Sequence, residues 1–343
     1  CMVMWGVLAA ASSRPFRKPR NMPQDPGLLY LSRAVLQSLG LTAADTIRQI
    51  ETLCRGRDRG DVLNAPKSAL RPEPNVLFMS TTALAEEPPH MAVKALGVNT
   101  ANADHCLETT SLSTTLFDRK TALPFAVMEG YWITMVRTAS LSAVAAKYFA
   151  RPDASVAAFI GCGAQAHTHL DALLQMFALR EIRIFGRGQT NRDILCQRGR
   201  DLGLAAHDCE TARDAVTDAD IIISSTPTTT APIRHIDAGW LKPGAFASLV
   251  DLARPWIEDS LRRFDGIVID DLEQEAQMPV QMLDTALISG DLQDLVTGRI
   301  SGRKHDRERH AFIFRGLALA DLALASLAYQ AAVDAGVGVF LER

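Results

Sequence analysis

The sequence predicts an α/β protein with a doubly wound parallel sheet in its second half and an antiparallel sheet in its first. Three observations predict this. From Ser155 onwards short apolar runs alternate with helical segments, the pattern of right-handed strand–helix–strand crossovers. Between Val62 and Val127 the chain instead breaks into β-like stretches divided by Pro, Asn, Asp and Gly. A final amphipathic segment, Phe312 to Val333, stands outside the alternation and is expected to pack back on the first domain.

In chain order, Leu31 to Arg55 reads as helix, with Leu36, Leu39, Leu41, Ile47 and Ile50 at three- and four-residue spacings and Thr42 as a cap. Asn75 to Ser80, Met91 to Leu96, Ser113 to Asp118 and Leu123 to Met128 read as strands, and the Ala-rich run Thr134 to Phe149 as helix. The alternating half places strands at Ser155 to Gly161, Glu181 to Phe185, Ala205 to Cys209, Ile221 to Ser225, Ala245 to Val250 and Gly266 to Asp270. Helices fall between them, ending near Phe177, at Asn191 to Leu202 and at Thr211 to Thr217.

Composition narrows the function. With 343 residues, 48% hydrophobic and 22% charged, the chain buries a full core in one large or two ordinary domains, and disorder, collagen and coiled coil are excluded. Apolar runs stay short of the ~18–20 residues of a membrane span, since Met2 to Ala11 is too short and Asp321 interrupts Leu317 to Ala328. Lys plus Arg total 36 against 39 acids, so no basic field invites nucleic acid. Six scattered cysteines without a Cys-x-x-Cys pair read as reduced thiols of a cytoplasmic protein. His167 and His169 sit on different helix faces, and no metal site is expected. Residues 1–26 carry their basic cluster (Arg14, Arg17, Lys18, Arg20) after the apolar run, the reverse of a secretory signal, and read as an N-terminal extension.

The chemistry begins at Gly161-x-Gly163-x-x-Ala166, between a strand and a helix. The first glycine permits a tight turn, the second lets backbone approach a pyrophosphate, and Ala166 keeps helix close to strand. Ala164 and Gln165 complete this Rossmann-type turn. At the end of the second strand, where NAD enzymes carry an acid for the ribose, the chain reads Phe185-Gly186-Arg187-Gly188 with Arg192 following. A guanidinium without a carboxylate favours a 2′-phosphate, hence NADP(H) over NAD(H); Arg187 as a solvated surface charge is the alternative.

The chain resembles the ornithine cyclodeaminase/mu-crystallin family from about Tyr30 to Ala332. The resemblance is carried by Arg137-Thr-Ala in the helix from Thr134 to Lys147, by Ala150-Arg-Pro-Asp153 and by Gly161-Cys-Gly-Ala-Gln-Ala166. Ala219-Asp220 to Thr226-Pro227, Trp240-Leu-Lys-Pro-Gly244 and Gly316 to Asp321 support it. It implies a homodimer in which a Rossmann domain, residues 138–314, is inserted into an α+β substrate-binding and dimerisation domain, 27–137 plus 315–343. It also implies a small amino-acid or cyclic imino-acid substrate whose carboxylate is held by cations: Lys94 of Met91-Ala-Val-Lys94, Arg137, and a third, Lys67 or Arg71. Such a set aims Cα at the nicotinamide, and a buried Lys94 of lowered pKa suits proton transfer to an imine nitrogen. Thr226 and Pro227 join the cofactor set.

The family's deaminases carry a catalytic Asp in a Val-Gly-x-Asp stretch. Here the chain reads Val250-Asp251-Leu-Ala253-Arg254-Pro255, so Ala253 falls at the acid's position, as in the ketimine reductases. Asp251, two residues earlier, points to the same face if the backbone is extended; it is either a replacement acid, about 7 Å displaced, or a loop cap. Ala253 and Arg187 together favour an NADP-dependent ketimine reductase acting on a cyclic imino acid such as Δ1-pyrroline-2-carboxylate. Ornithine cyclodeaminase, an open-chain amino-acid dehydrogenase and a non-catalytic NADP-binding protein are the alternatives.

Overall fold

The computed structural model describes residues 27–227 and 233–342. The expected N-terminal extension lies outside the described residues.

The chain opens with β1 (Leu28–Leu31), α1 (Arg33–Ser38) and α2 (Ala43–Arg59). It then runs through β2 (Val62–Glu73), β3 (Val76–Ala85), β4 (His90–Asn99), β5 (Thr110–Asp118) and β6 (Pro124–Glu129) into the long helix α3 (Gly130–Phe149). The alternating half begins with β7 (Val156–Ile160), α4 (Ala164–Leu174), β8 (Glu181–Phe185), α5 (Gln189–Asp201), β9 (Ala205–Asp208), α6 (Ala212–Val216) and β10 (Ile221–Ser224). It continues with β11 (Phe246–Leu249), β12 (Gly266–Ile269), α7 (Leu272–Ala276), β13 (Ile288–Asp291), α8 (Leu292–Thr297) and β14 (His310–Ile313). Helix α9 (Ala318–Ala335) and β15 (Val339–Leu341) close the chain.

Two sheets result. The first is mixed, with seven strands in the order β15-β1-β6-β5-β4-β3-β2. The second is parallel throughout, with eight strands in the order β13-β12-β14-β11-β10-β7-β8-β9. Its central strands are continuous apolar runs because both faces are covered by helices: Ile221, Ile222 and Ile223 of β10 and Phe246 and Leu249 of β11 are fully buried. Helix α3 joins the halves, touching α2 and α9 on one side and α4, β11 and β14 on the other.

Three elements depart from the sequence expectation. The helix foreseen from Leu31 to Arg55 is divided, because Leu31 pairs with Met128 in β1 and Gly40 adopts a left-handed φ of 65°. Thr42 then caps α2 through a reciprocal bond pair with Asp45. Strand β2 was hidden by Pro66 and Pro72, which its edge position tolerates where the ladder breaks between Ala65 and Ser68 and between Leu70 and Glu73. Finally, Phe312 to Val333 is not one amphipathic segment. Strand β14 inserts between β11 and β12, and α9 is buried at every residue from Ala318 to Ser326, between the first sheet and helices α1, α2 and α3. Its apolar residues therefore surround the helix instead of forming a stripe.

Leu322, wholly buried in α9, is predicted to cost about 2–5 kcal/mol on replacement by Ala. The half-exposed Ile194 of α5 is predicted to change stability by less than about 0.5 kcal/mol on the same replacement. Urea denaturation of the two variants checks both.

Candidate active site

Strand β7 delivers the glycine turn. Gly161 has φ +95°, and a Cβ there would stand 2.6 Å from the backbone oxygen of Ser225, so only glycine lets the turn pass β10. Gly163 precedes α4 without a side-chain cap, and open space surrounds the position its Cβ would take. Unclaimed amides at a helix N-terminus with room above them are what a diphosphate requires. Ala166 is buried against the sheet, and Gly186 lies so close to Cys162 that a Cβ would meet its Sγ at 2.9 Å. These residues fit a dinucleotide. Beyond β8, Arg187 is exposed and makes no ion pair among the described residues. Arg192 is not a free cation: its Nε lies 2.9 Å from Asp208 and its Nη1 donates to the Gly186 oxygen at 2.7 Å.

Across from the turn lies a buried ionic cluster. Asp321 of α9 accepts from Lys94 Nζ at 2.9 and 2.8 Å, and its Oδ1 lies 3.0 Å from Arg137 Nε. All three side chains are at least nine-tenths buried. Burial, then the neighbouring Arg137, pushes the Lys94 ammonium down to about 8. Burial by itself raises the Asp321 carboxyl, but Arg137 and Lys94 together hold it below the ordinary carboxylate value. Lys67 of β2 donates to the Arg315 oxygen at 2.6 Å, and burial lowers it too to about 8. Arg71 stands exposed on β2 and makes no ion pair among the described residues, so Lys67 is the cation that joins the cluster.

A cavity of about 400 Å³ separates the turn from the cluster. Arg137, Gln165, Thr226, Pro227 and Asp251 all line it. Lys94 and Lys67 do not; Lys94 is linked to its wall through Asp321 and Arg137, and Lys67 through the Arg315 oxygen. Buried polar atoms lacking a hydrogen-bond partner belong to residues that line this cavity: Arg137 Nη1, Thr134 Oγ1, Gln165 Oε1, Ser225 Oγ and Asp251 Oδ1. Native interiors rarely leave such atoms unmatched without a ligand or water to meet them.

Asp251 caps the turn after β10 with one of its oxygens. Its Oδ2 accepts from Ser224 Oγ at 2.6 Å, Thr226 N at 3.0 Å and Thr226 Oγ1 at 3.1 Å, while Oδ1 remains without a partner on the cavity wall. Burial raises its carboxyl above the ordinary value. The expectation that positions 251 and 253 share a face is overturned. Leu252 and Ala253 adopt left-handed φ of 61° and 56°, and the Ala253 methyl turns into the core with Ile236 and Trp256. Sequence reasoning missed Asp321, Thr134 and Ser225. For Asp321 a signal was available, a lone acid in the first turn of an otherwise apolar helix.

A parallel sheet with phosphate-sized room at its glycine turn, set against a cavity with the buried Arg137 on its wall, defines the class: an NAD(P)-dependent oxidoreductase. The sequence profile of the ornithine cyclodeaminase/mu-crystallin family matches residues 31–336, and the chain belongs to that family. The ketimine reductase mu-crystallin of Mus musculus is 32% identical over 238 residues, 68% of this chain and 71% of the relative. Alanine dehydrogenase of Archaeoglobus fulgidus is 28% identical over 259 residues, 73% of this chain and 79% of the relative. The solved structure of Thermococcus litoralis Δ1-pyrroline-2-carboxylate reductase, in complex with NADH and L-proline, superposes with a TM-score of 0.81 at 28% identity. That match covers 91% of this chain and 100% of the other.

Asp321→Asn removes the only carboxylate that pairs with both Lys94 and Arg137 among the described residues. The predicted cost is about 3–5 kcal/mol of folding stability, the usual consequence of leaving buried charge uncompensated. Denaturant titration of the variant against the parent chain measures it.

Proposed function

We propose that this protein is a ketimine reductase that reduces a cyclic imino acid such as Δ1-pyrroline-2-carboxylate at Cα, with NADPH preferred over NADH. The observation that carries the reading is the polarity of the cavity: the unpartnered Nη1 of Arg137 on the α3 wall and an unpartnered oxygen of Asp251 on the wall after β11. An imino acid protonated on nitrogen is a zwitterion that satisfies both. Arg137 binds the carboxylate, with Lys94 and Lys67 adding positive charge behind it. Asp251 Oδ1 faces the iminium nitrogen; hydride addition at Cα leaves that nitrogen a neutral amine, and Lys94, bonded to Asp321 behind Arg137, is the source of the further proton that makes it the ammonium of the product. A bound nicotinamide dinucleotide supplies the hydride. The cofactor residues are Gly161, Gly163, Ala164, Gln165, Ala166, Gly186, Arg187, Thr226 and Pro227, with Arg192 shaping the loop from its pair with Asp208.

Reductase is favoured over cyclodeaminase because the deaminases' acid position is Ala253, turned into the core. Cyclodeaminase remains the second reading because Asp251 still presents a carboxylate oxygen to the cavity. Two assays separate them: loss of NADPH absorbance with Δ1-pyrroline-2-carboxylate, and ammonia release from L-ornithine with NAD. Ammonia release without imine reduction overturns the reductase.

We assign residues 27–137 and 315–343 to substrate binding and dimerisation and 138–314 to the dinucleotide. We place a second copy on the outer face of the first sheet, where Leu70 and Phe78 are more than half exposed beside a trough that also takes in Ser80, Ala95, Gly97 and Ser111. Five free cysteines among the described residues suit a reducing cytoplasm.

Two predictions follow from this reading. In the reductive direction Lys94 must start protonated, so kcat/KM falls as pH rises through about 8; in the oxidative direction it must start neutral, so the rate climbs over the same range. Steady-state profiles in both directions test the pair of signs, and Lys94→Met is expected to remove turnover. Arg187→Ala is predicted to weaken NADPH at least about tenfold with little change for NADH, a loss typical of one charge-assisted contact. Equal losses for the two cofactors, read by fluorescence titration, contradict the 2′-phosphate assignment.

A further inference from the structure

A buried hydrogen-bonded chain runs behind the cavity and plays no part in the proposed chemistry. Ser248 Oγ of β11 donates to Ser142 Oγ of α3 at 2.8 Å, Ser142 Oγ lies 2.8 Å from His169 Nε2 of α4, and His169 Nδ1 lies 2.7 Å from the backbone oxygen of Gln165. Ser142, Ser248 and His169 are each no more than 1% exposed. The direction of every link is fixed. A carbonyl only accepts, so Nδ1 carries the ring proton; Nε2 must then accept from Ser142, whose oxygen accepts from Ser248. Burial keeps the His169 imidazole neutral, with its pKa pushed down to about 4, so this arrangement persists across the working pH range.

The chain joins three walls of one cavity. Ser142 stands five residues beyond Arg137 on α3, Gln165 opens α4 beside the glycine turn, and Ser248 lies three residues before Asp251. We infer that His169 is a positioning residue, the central link of a strut that holds the Arg137 helix and the nucleotide turn in register. Apolar packing fixes how tightly two helices approach but tolerates small slides; a hydrogen-bonded chain with one allowed direction resists them. The inference rests on the proposed use of the two walls, carboxylate at Arg137 and dinucleotide at the glycine turn. Each ligand alone touches one wall, and only the ternary complex needs both walls in register. Loosening the strut therefore leaves the binary affinities intact and weakens binding of the second ligand.

The test is ligand coupling in the full chain, with NADPH and pyrrole-2-carboxylate, a planar acid that accepts no hydride. In the parent protein each ligand is expected to tighten the other by about 10-fold. In Ser142→Ala, and in His169→Leu, the separate dissociation constants are expected to hold while the coupling factor falls to about 1–2. The double variant loses no more than either single one, because the strut acts as a unit. Ser142→Ala removes a single hydroxyl and carries the measurement if His169→Leu does not fold. Lowered Tm with the coupling factor unchanged assigns the chain a structural role only and overturns the inference, as does a parent protein that binds both ligands without coupling. A parent protein that binds neither ligand overturns the reductase reading, and the strut with it.

Discussion

One carboxylate organises this site. Asp321 lies in the first turn of α9, where the helix dipole favours negative charge, and it is the shared partner of Lys94 from β4 and Arg137 from α3. Burying either cation unpaired costs several kcal/mol, so neither the strand nor the helix can place its charge so deep until the end of the chain has returned. That requirement explains why the buried first turns of α9, Ala318 to Ala325, separated from the first sheet by the whole nucleotide-binding half, are apolar except at this residue. The packing of α9 and the pairing of Asp321 are one constraint seen from two directions. The cluster is also left positive: Lys94, Arg137 and the nearby Lys67 stand against Asp321, which is held ionised, and Asp270, whose carboxyl burial raises to about 6. A carboxylate brought by a ligand completes the balance, and Arg137 Nη1, which lacks a partner, can receive it.

Helix α3 converts this local pairing into a relation between the two halves. It leaves the first sheet at Gly130, where a Cβ would meet Leu112 and Ser113 within 3 Å, and passes between α9 and α4 to reach β11 and β14. Arg137 is thus anchored from behind by Asp321, while one turn further on Ser142 touches the nucleotide half. The cavity lies where the strand order of the parallel sheet reverses direction about β7 and β10, beyond their carboxyl ends, the usual ligand crevice of doubly wound sheets. Its floor is strained. Consecutive left-handed residues at Leu252 and Ala253 cost of order 1–3 kcal/mol each and persist because Trp256, Ile236 and the Asp251 bonds fix the loop on both sides.

Much of this was legible in the sequence because it rests on local rules. The glycine turn is dictated by sterics at Gly161, the Arg137 helix by its alanines, and the parallel sheet by the alternation of apolar strands and helices. What escaped depends on distant pairing. Strand β14 is four residues long and sits mid-sheet only because β11 and β12 leave a gap for it; β15 exists only because β1 offers an edge. Asp321 read as an interruption of an apolar run, since nothing nearby in sequence announces the two cations it meets. The facing of residues 251 and 253 was misjudged for a related reason. Alternation holds only along extended backbone, and the strand ends at Leu249, before the turn that separates them.

The same turn bears on which chemistry the cavity favours. A base that serves an attacking amine must accept a proton and then give it up, which calls for a carboxylate free to move with its partner. Asp251 is not free: three donors fix one of its oxygens, so the other is held at one point on the wall. Burial, moreover, already raises its affinity for a proton, and an adjacent cation lowers it again. A pinned carboxylate of this kind suits a ligand whose positive charge begins and ends on one atom. A ring nitrogen beside the reacting carbon meets that condition: a cation in the protonated imine, neutral once the hydride reaches Cα, and a cation again when the product amine takes up a further proton. A side-chain amine that must lose its proton before it attacks does not. The stiffness of Asp251, more than its mere presence, is therefore what supports the proposed reductase over a cyclodeaminase.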